Sequence, residues 1–106
     1  MSEVVVAAAF KIKPGREQEA EEVLREVARA THGEEGCITY ALHRGLDEPG
    51  RFVLIERWRS RADLDAHLQQ PHVTRLADTA DALDEPAGVW FTEALPEGDP
   101  EKGALS

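Results

Sequence analysis

The segment Arg51–Val73, "RFVLIERWRSRADLDAHLQQPHV", contains a strand pattern, a helix start and a helix restart in direct succession. Its first part, Arg51–Arg59, is rich in β-branched and aromatic residues, which predicts a β-strand. Ser60 is followed three residues later by Asp63, a spacing typical of a capping box at the start of a helix. Pro71 suits a first helical turn and not a helix interior, so a second helical piece should begin there. This segment alone predicts a domain that mixes strands and helices.

Two strands and a helix precede this segment. "CITYALHR", Cys37–Arg44, is a strand pattern joined to Arg51 by the turn-rich loop "GLDEPG", which predicts a hairpin. Before it, Glu17–Thr31 has the i, i+3, i+4, i+7 spacing of an amphipathic helix. The first strand, Glu3–Ile12, stops at a Pro-Gly pair. The stripe of the predicted helix consists of Ala20, Val23, Leu24, Val27, Ala28 and Thr31.

One more apolar stripe and one more strand follow the opening segment. The stripe consists of Val73, Leu76, Ala80 and Leu83, and the strand is predicted at Ala87–Leu95. We assign residues 1–95 to one domain and residues 96–106 to a flexible acidic tail, since the tail has too little apolar surface to fold. The order β-α-β-β-α-β predicts an α+β, ferredoxin-like fold, in which an antiparallel sheet carries helices on one face.

Two of the predicted strands, Val4–Phe10 and Phe52–Ile55, are apolar at consecutive positions. An antiparallel sheet that is covered on one face only usually alternates apolar and polar residues. Because two helices cover only one face of such a sheet, the other apolar face needs a different partner. We therefore predict a homodimer in which the uncovered faces of two copies pack together.

Composition limits the function classes. The 106 residues include 21 acidic and 12 basic side chains, with a net charge of −9. This charge repels phosphate backbones and anionic lipids, so we expect neither nucleic acid nor a membrane as a partner. No apolar run approaches the roughly 18 residues of a membrane span, and the first residues do not resemble a signal peptide, so we expect a cytoplasmic protein. The single cysteine, Cys37, cannot form an internal disulfide, and we expect it to be buried.

The strand Arg51–Arg59 places one carboxyl among apolar neighbours. Glu56 shares a face with Leu54 and Trp58 because alternate residues of a strand point the same way. A carboxyl in that position either pairs with an arginine or histidine, or has its pKa raised by loss of water. Trp58 is either simple core or a pocket wall, and its indole N–H needs a partner when buried. The residues alone leave both alternatives open.

Two histidines are candidates for acid-base chemistry. His67 follows Leu64 by three residues and precedes Leu68, so all three should face inward on one short helix. An inward histidine is either a core residue or a base. His72 would lie about 140° away on a continuous helix, so the two would share a ligand only if Pro71 reorients the chain. We therefore predict no metal site.

Two segments, "EEGCITY" (Glu34–Tyr40) and "FVLIERWRSRADLDAHLQQPHV" (Phe52–Val73), resemble the antibiotic biosynthesis monooxygenase family, most closely its small bacterial quinol monooxygenases. The shared features are E-x-G-C, a tyrosine three residues after the cysteine, E-x-W-x-S and A-H-L-x-x-P-H. The resemblance covers about Val4–Leu95. It implies a dimeric α+β barrel that oxidises a quinol or a related electron-rich phenol with O₂, without flavin, haem or metal as a cofactor.

The resemblance also implies roles for individual residues. The predicted catalytic residues are His67 and Trp58, which would line the cavity together. His67 would be the base, since a histidine pKa near 6.5 suits proton removal at neutral pH. The predicted substrate-binding residues are Tyr40, Glu56, Leu64, His72, Arg75 and Phe91. Among these, Glu56 is expected to orient an imidazole, and Arg75 or else Arg57 is expected to meet an oxyanion.

The chain departs from the haem-degrading members of this family. Those members carry an asparagine in the first strand and an iron-binding histidine on a later helix. Here the corresponding positions are Ala7–Ala9 and Ala77. We therefore do not expect haem degradation, and we favour a quinol over a large polyketide.

Two other functions remain open at this stage. The same fold could isomerise a small phosphorylated sugar, with His67, His72 and Arg75 as acid, base and phosphate ligand. It could also be a dimeric ligand-binding module without turnover. Dependence on oxygen distinguishes the monooxygenase from the isomerase and from the ligand-binding module.

Overall fold

The computed structural model describes residues 2–105. Met1, the first residue of the predicted domain, and Ser106, the last residue of the predicted tail, lie outside the described residues. These described residues form four strands, three α-helices and one 3₁₀ segment. Their bounds are β1 Val4–Lys11, α1 Glu17–Thr31, β2 Cys37–Arg44, β3 Arg51–Trp58, α2 Arg61–His67, α3 Pro71–Thr74, the 3₁₀ segment Arg75–Ala82 and β4 Gly88–Thr92.

The strands form one antiparallel sheet in the order β2-β3-β1-β4. This order confirms the predicted α+β, ferredoxin-like fold, in which the two central strands, β1 and β3, come from different halves of the chain. The predicted hairpin of β2 and β3 is also confirmed. The last strand is shorter than the predicted Ala87–Leu95, because only Gly88–Thr92 pairs with β1. Residues 96–105 contain no helix or strand.

Helix α1 has the predicted bounds, and its apolar stripe packs on the sheet. Ala20, Leu24, Val27 and Thr31 are buried, as the helical spacing indicates. Val27 belongs to a core cluster around Trp58 and Leu54, and Ala20 and Leu24 belong to a second cluster around Ile12 and Phe52. Within residues 2–105, no helix combines the length and the apolar content that crossing a bilayer requires.

The stripe after Pro71 differs from the prediction. Val73, Leu76 and Thr79 are half-buried and Ala82 is buried, whereas Ala80 is exposed. The reason is the conformation of Arg75–Ala82, since a 3₁₀ helix has three residues per turn and repeats its buried face at every third position. An α-helical spacing was therefore the wrong template for this segment.

The sheet has an inner face under the helices and an outer face that the described chain leaves uncovered. Along β3 the buried residues alternate with half-buried ones. A continuous row on the outer face follows from the register: Ala41, Ile55, Ala7 and Trp90. Trp90 is 57% exposed. An apolar row of this kind on the outer face is the pattern from which we predicted a homodimer.

Candidate active site

A glycine brings the α1–β2 loop against helix α2. Gly36 is buried, and a Cβ at that position would overlap the side chain of Asp63 in the first turn of α2. The Gly36 carbonyl accepts a hydrogen bond from the amide of Arg59 at 2.9 Å, which ties the loop to the end of β3. As a result, Glu34 in the same loop lies beside the end of helix α2.

Helix α2 begins where the capping box predicted. The amide of Asp63 donates to Ser60 Oγ at 3.2 Å, and the Ser60 hydroxyl donates to Asp63 Oδ2 at 3.0 Å. The helix ends at His67, which is only 3% exposed. Pro71 is the first residue of α3, as predicted, and it gives the chain a new direction before His72.

Both histidines meet one carboxylate oxygen. Glu34 Oε2 lies 2.7 Å from Nδ1 of His67 and 2.7 Å from Nε2 of His72. The two histidines share this oxygen because the chain changes direction at Pro71, as their spacing in the sequence requires. Sequence reasoning missed Glu34 as a site residue. Its position in the E-x-G-C motif, two residues before a glycine, was the signal that could have identified it.

The ring of His67 is held from several sides. It packs on Trp58 with 4.4 Å between ring centroids and on Tyr40 with 5.5 Å. Glu34 binds Nδ1, and this is the one hydrogen bond of the ring to another side chain among residues 2–105. When Nδ1 donates its hydrogen to the carboxylate, Nε2 keeps a free lone pair. His67 is then in the form that accepts a proton.

His67 lines a cavity between the helices and the inner face of the sheet. The cavity has a volume of about 230 Å³, and Tyr40 and Glu56 also line it. The rest of its wall is apolar and includes Val6, Ala8, Leu54, Leu64, Val89 and Phe91. A mostly apolar pocket with a few convergent polar groups is typical of a small-molecule site.

A second, mostly apolar cavity lies beside the first. It has a volume of about 250 Å³ and extends towards Ile12, Leu24 and Leu83. Phe10 and Leu76 line both cavities, so these two side chains stand between them.

Burial shifts the pKa of each titratable group in the first cavity. Loss of water raises the pKa of Glu56 to about 7, and the nearby negative charge of Glu34 also raises it. The hydrogen bond that the Trp58 N–H donates to Glu56 Oε1 at 2.9 Å acts in the opposite direction. Burial lowers the pKa of His67 below 6.5, although the hydrogen bond with Glu34 opposes this. Burial and the two carboxylates keep the pKa of Tyr40 well above its usual value. Near neutral pH the cavity therefore holds a neutral imidazole, a phenol O–H and a half-protonated carboxyl.

Five predicted site residues line the cavity together: Tyr40, Glu56, Leu64, His67 and Phe91. Of the two alternatives for Glu56, pairing with an arginine or histidine or a raised pKa, the structure has the second. Its carboxyl accepts a hydrogen bond from the Trp58 indole, and its pKa is raised. Leu68, expected to face inward, is 38% exposed but also lines this cavity.

Three predicted site residues lie elsewhere, and so does Arg57. Trp58 does not line the cavity, because it is fully buried beneath His67 and supports that ring. His72 reaches Glu34 instead of the cavity. Arg75 pairs with Glu26 on the surface at 2.5 Å, and Arg57 pairs with Glu3 at 2.8 Å. Neither arginine can meet an oxyanion in this cavity.

Fold and site together define a class: a small ferredoxin-like α+β domain with an apolar cavity that carries a carboxylate-supported histidine. Comparison with known proteins specifies the class further. The model of the family described as antibiotic biosynthesis monooxygenase matches residues 3–79. The chain belongs to this family.

Individual relatives agree with this assignment. The chain is 34% identical over 97 residues to "Putative monooxygenase Rv0793" of Mycobacterium tuberculosis, covering 91% of this chain and 95% of that protein. The structure of Rv0793 superposes with a TM-score of 0.85 at 33% identity, covering 92% and 100% of the two chains. An uncharacterised Synechocystis protein is 32% identical over 87 residues, which are 81% of this chain but only 59% of that protein. The comparisons support a monooxygenase-like role.

Proposed function

We propose that the protein is a monooxygenase that oxidises a quinol or a related electron-rich phenol with O₂ and without an organic or metal cofactor. The observation that carries this proposal is the pair of Glu34 and His67, in which the carboxylate holds Nδ1 of a histidine that lines an apolar cavity. Family membership supports the reaction type.

The base acts first in this mechanism. His67 Nε2 takes the proton of a substrate hydroxyl, and the imidazolium that forms donates its Nδ1–H to the Glu34 carboxylate. The resulting oxyanion is electron-rich enough to give an electron to O₂, which the neutral quinol does poorly. Overall, a quinol and O₂ give a hydroxyquinone and water. All four electrons come from the substrate, so no external reductant is needed.

Two polar groups in the cavity wall can stabilise the oxyanion. Tyr40 keeps its O–H at neutral pH, and Glu56 is protonated in part of the molecules, so both can donate hydrogen bonds to a developing negative charge. The apolar remainder of the wall excludes water, which strengthens these interactions. Arg57 and Arg75 take no part in this mechanism.

We propose further that two copies associate through the outer face of the sheet to form a dimeric α+β barrel. The uncovered row Ala41, Ile55, Ala7 and Trp90 supports this arrangement. Burying this row would remove a large apolar patch from water.

The isomerase alternative needs cationic groups for a phosphate. Among the described residues that line the cavity there is no lysine or arginine. The geometry therefore favours oxidation of a neutral aromatic substrate.

The test is oxygen uptake by untagged, chelator-treated protein with a panel of reduced naphthoquinols and benzoquinols, corrected for spontaneous oxidation. We expect uptake that falls by about 10²- to 10⁴-fold in His67→Ala, the usual contribution of a general base. Gln69→Ala, which removes an exposed side chain two residues after His67, is the matched control and should keep full activity. No protein-dependent uptake across the panel, or full activity in a folded His67→Ala protein, would overturn the proposal.

A further inference from the structure

We propose that Glu34, His67 and His72 form a binding site for a divalent transition-metal ion of the zinc type, and that the bound ion inhibits the enzyme. Each residue offers one ligand atom, and the three atoms lie within 4.8 Å of one another. Two imidazoles and one carboxylate are a ligand set that Zn²⁺, Co²⁺, Ni²⁺ and Cu²⁺ accept.

The three ligand atoms are close enough for side-chain rotations to place them around one ion. With ligand distances of roughly 2.0–2.2 Å, the ligand atoms of a tetrahedral ion lie about 3.3 Å apart. Glu34 Oε2 lies 2.7 Å from each of the two nitrogens. The two nitrogens lie within 4.8 Å of each other, so an ion needs the Glu34 contacts to widen and the two imidazole rings to move into its coordination distance.

The surroundings of the cluster also fit an ion. The three ligands come from different segments, the α1–β2 loop, α2 and α3. The His72 side chain is 21% exposed, which leaves a route for the ion and a position for a water ligand. The net charge of −9 attracts cations to the protein. Trp58 and Tyr40 hold the His67 ring from the other side.

Metal binding and proton transfer compete for the same imidazole. An ion on Nδ1 of His67 uses the lone pair of that nitrogen, so the ring must carry its hydrogen on Nε2. Nε2 then cannot accept a proton from a substrate. This consequence rests on the proposed function, whereas the binding site itself does not.

The test measures binding and activity separately. Untagged, chelator-stripped protein is titrated with Zn²⁺ by calorimetry and with Co²⁺ by visible absorption. We expect one ion per chain, with no competition from Mg²⁺, which prefers oxygen ligands. His72→Ala and Glu34→Gln should each weaken binding by more than about 100-fold. Removing a residue that only hydrogen-bonds to a metal ligand already lowers affinity by about 10- to 100-fold, and loss of a ligand itself should cost more. His43→Ala, which removes an exposed histidine of β2, should bind the metal ion as tightly as the wild type.

The outcomes distinguish the two proposals. If the wild type does not bind, or if His72→Ala binds equally well, the metal site is wrong, whatever the stripped protein does with quinols. If binding depends on His72 but stripped protein never consumes oxygen, the metal site stands and the proposed function fails. If one equivalent of Zn²⁺ binds and leaves oxygen uptake unchanged, inhibition is ruled out.

Discussion

Folding strongly raises the pKa of the Glu56 carboxyl. This carboxyl is removed from water beneath the cavity, and its pKa rises from 4.5 to about 7. Between these values the folded protein holds a proton that the unfolded chain has released. The free energy of unfolding should therefore fall as the pH rises through this window, by roughly 3 kcal/mol at 1.36 kcal/mol per pKa unit.

Glu56→Gln removes this titration and keeps a carbonyl oxygen for the Trp58 N–H. We expect urea unfolding at about pH 4.5, 6 and 8 to show a flatter pH dependence for the variant than for the wild type. Glu22→Gln, on the exposed side of α1, is the control and should follow the wild type. Parallel curves for the wild type and Glu56→Gln would contradict a buried, proton-holding Glu56.

His67 gives the proposed reaction its own pH dependence. The base must be neutral, so kcat/KM should decline as the pH falls through a pKa below 6.5. Glu34 raises this pKa through its hydrogen bond and its charge. In Glu34→Gln we expect the decline to shift to lower pH and the plateau to fall by up to about 100-fold.

Glu35→Gln is the matched control for that profile. Glu35 is the next residue in the loop, and its exposed carboxylate lies 3.7 Å from Arg59 instead of near a histidine. It should leave both the plateau and the acidic limb in place. An unshifted acidic limb in Glu34→Gln would show that Glu34 does not support the base.

Residue-level prediction succeeded where spacing decides direction. His67 and Glu56 face inward because their positions on a helix and a strand require it. Glu34 escaped prediction because its contact depends on how closely a loop approaches another helix. Arg75 was placed wrongly because a long flexible side chain on the surface pairs with a nearby carboxylate, here Glu26.

At the scale of elements, the contact between the α1–β2 loop and α2 positions the site. Gly36→Ala should force the loop away from Asp63 and separate Glu34 from the histidines. We expect a loss of stability of about 1–3 kcal/mol, typical of overpacking, and a loss of activity. Thermal unfolding and oxygen uptake measure both.

Gly33→Ala tests whether any alanine in this loop has the same effect. A Cβ at Gly33 would meet only the Ala30 carbonyl at 3.5 Å, an ordinary contact. This variant should unfold and react like the wild type. Equal effects of the two substitutions would mean that close packing of Gly36 on α2 is not what positions Glu34.

Helix α1 and the capped start of α2 were predictable because local signals set both. The 3₁₀ conformation of Arg75–Ala82 was not, since the same residues are compatible with α-helical spacing until the packing against α1 and the sheet is known. The cavity wall that this segment supplies was therefore also beyond sequence reasoning.

The order of elements made the fold predictable at the scale of the whole molecule, and the doubly apolar strands predict its association. Ile55→Lys places a charge in the middle of the outer row, so we expect the variant to sediment as a monomer and the wild type as a dimer. Leu46→Lys, in the β2–β3 loop where the leucine is 97% exposed, should remain dimeric. A wild-type monomer at micromolar concentration would exclude the proposed barrel.

The two neighbouring cavities bear on which molecules fit. If the proposed substrate carries an alkyl or isoprenoid tail on a ring beside His67, that tail meets Phe10 and Leu76, the two side chains that line both cavities. The bulk of these two side chains therefore sets a length limit.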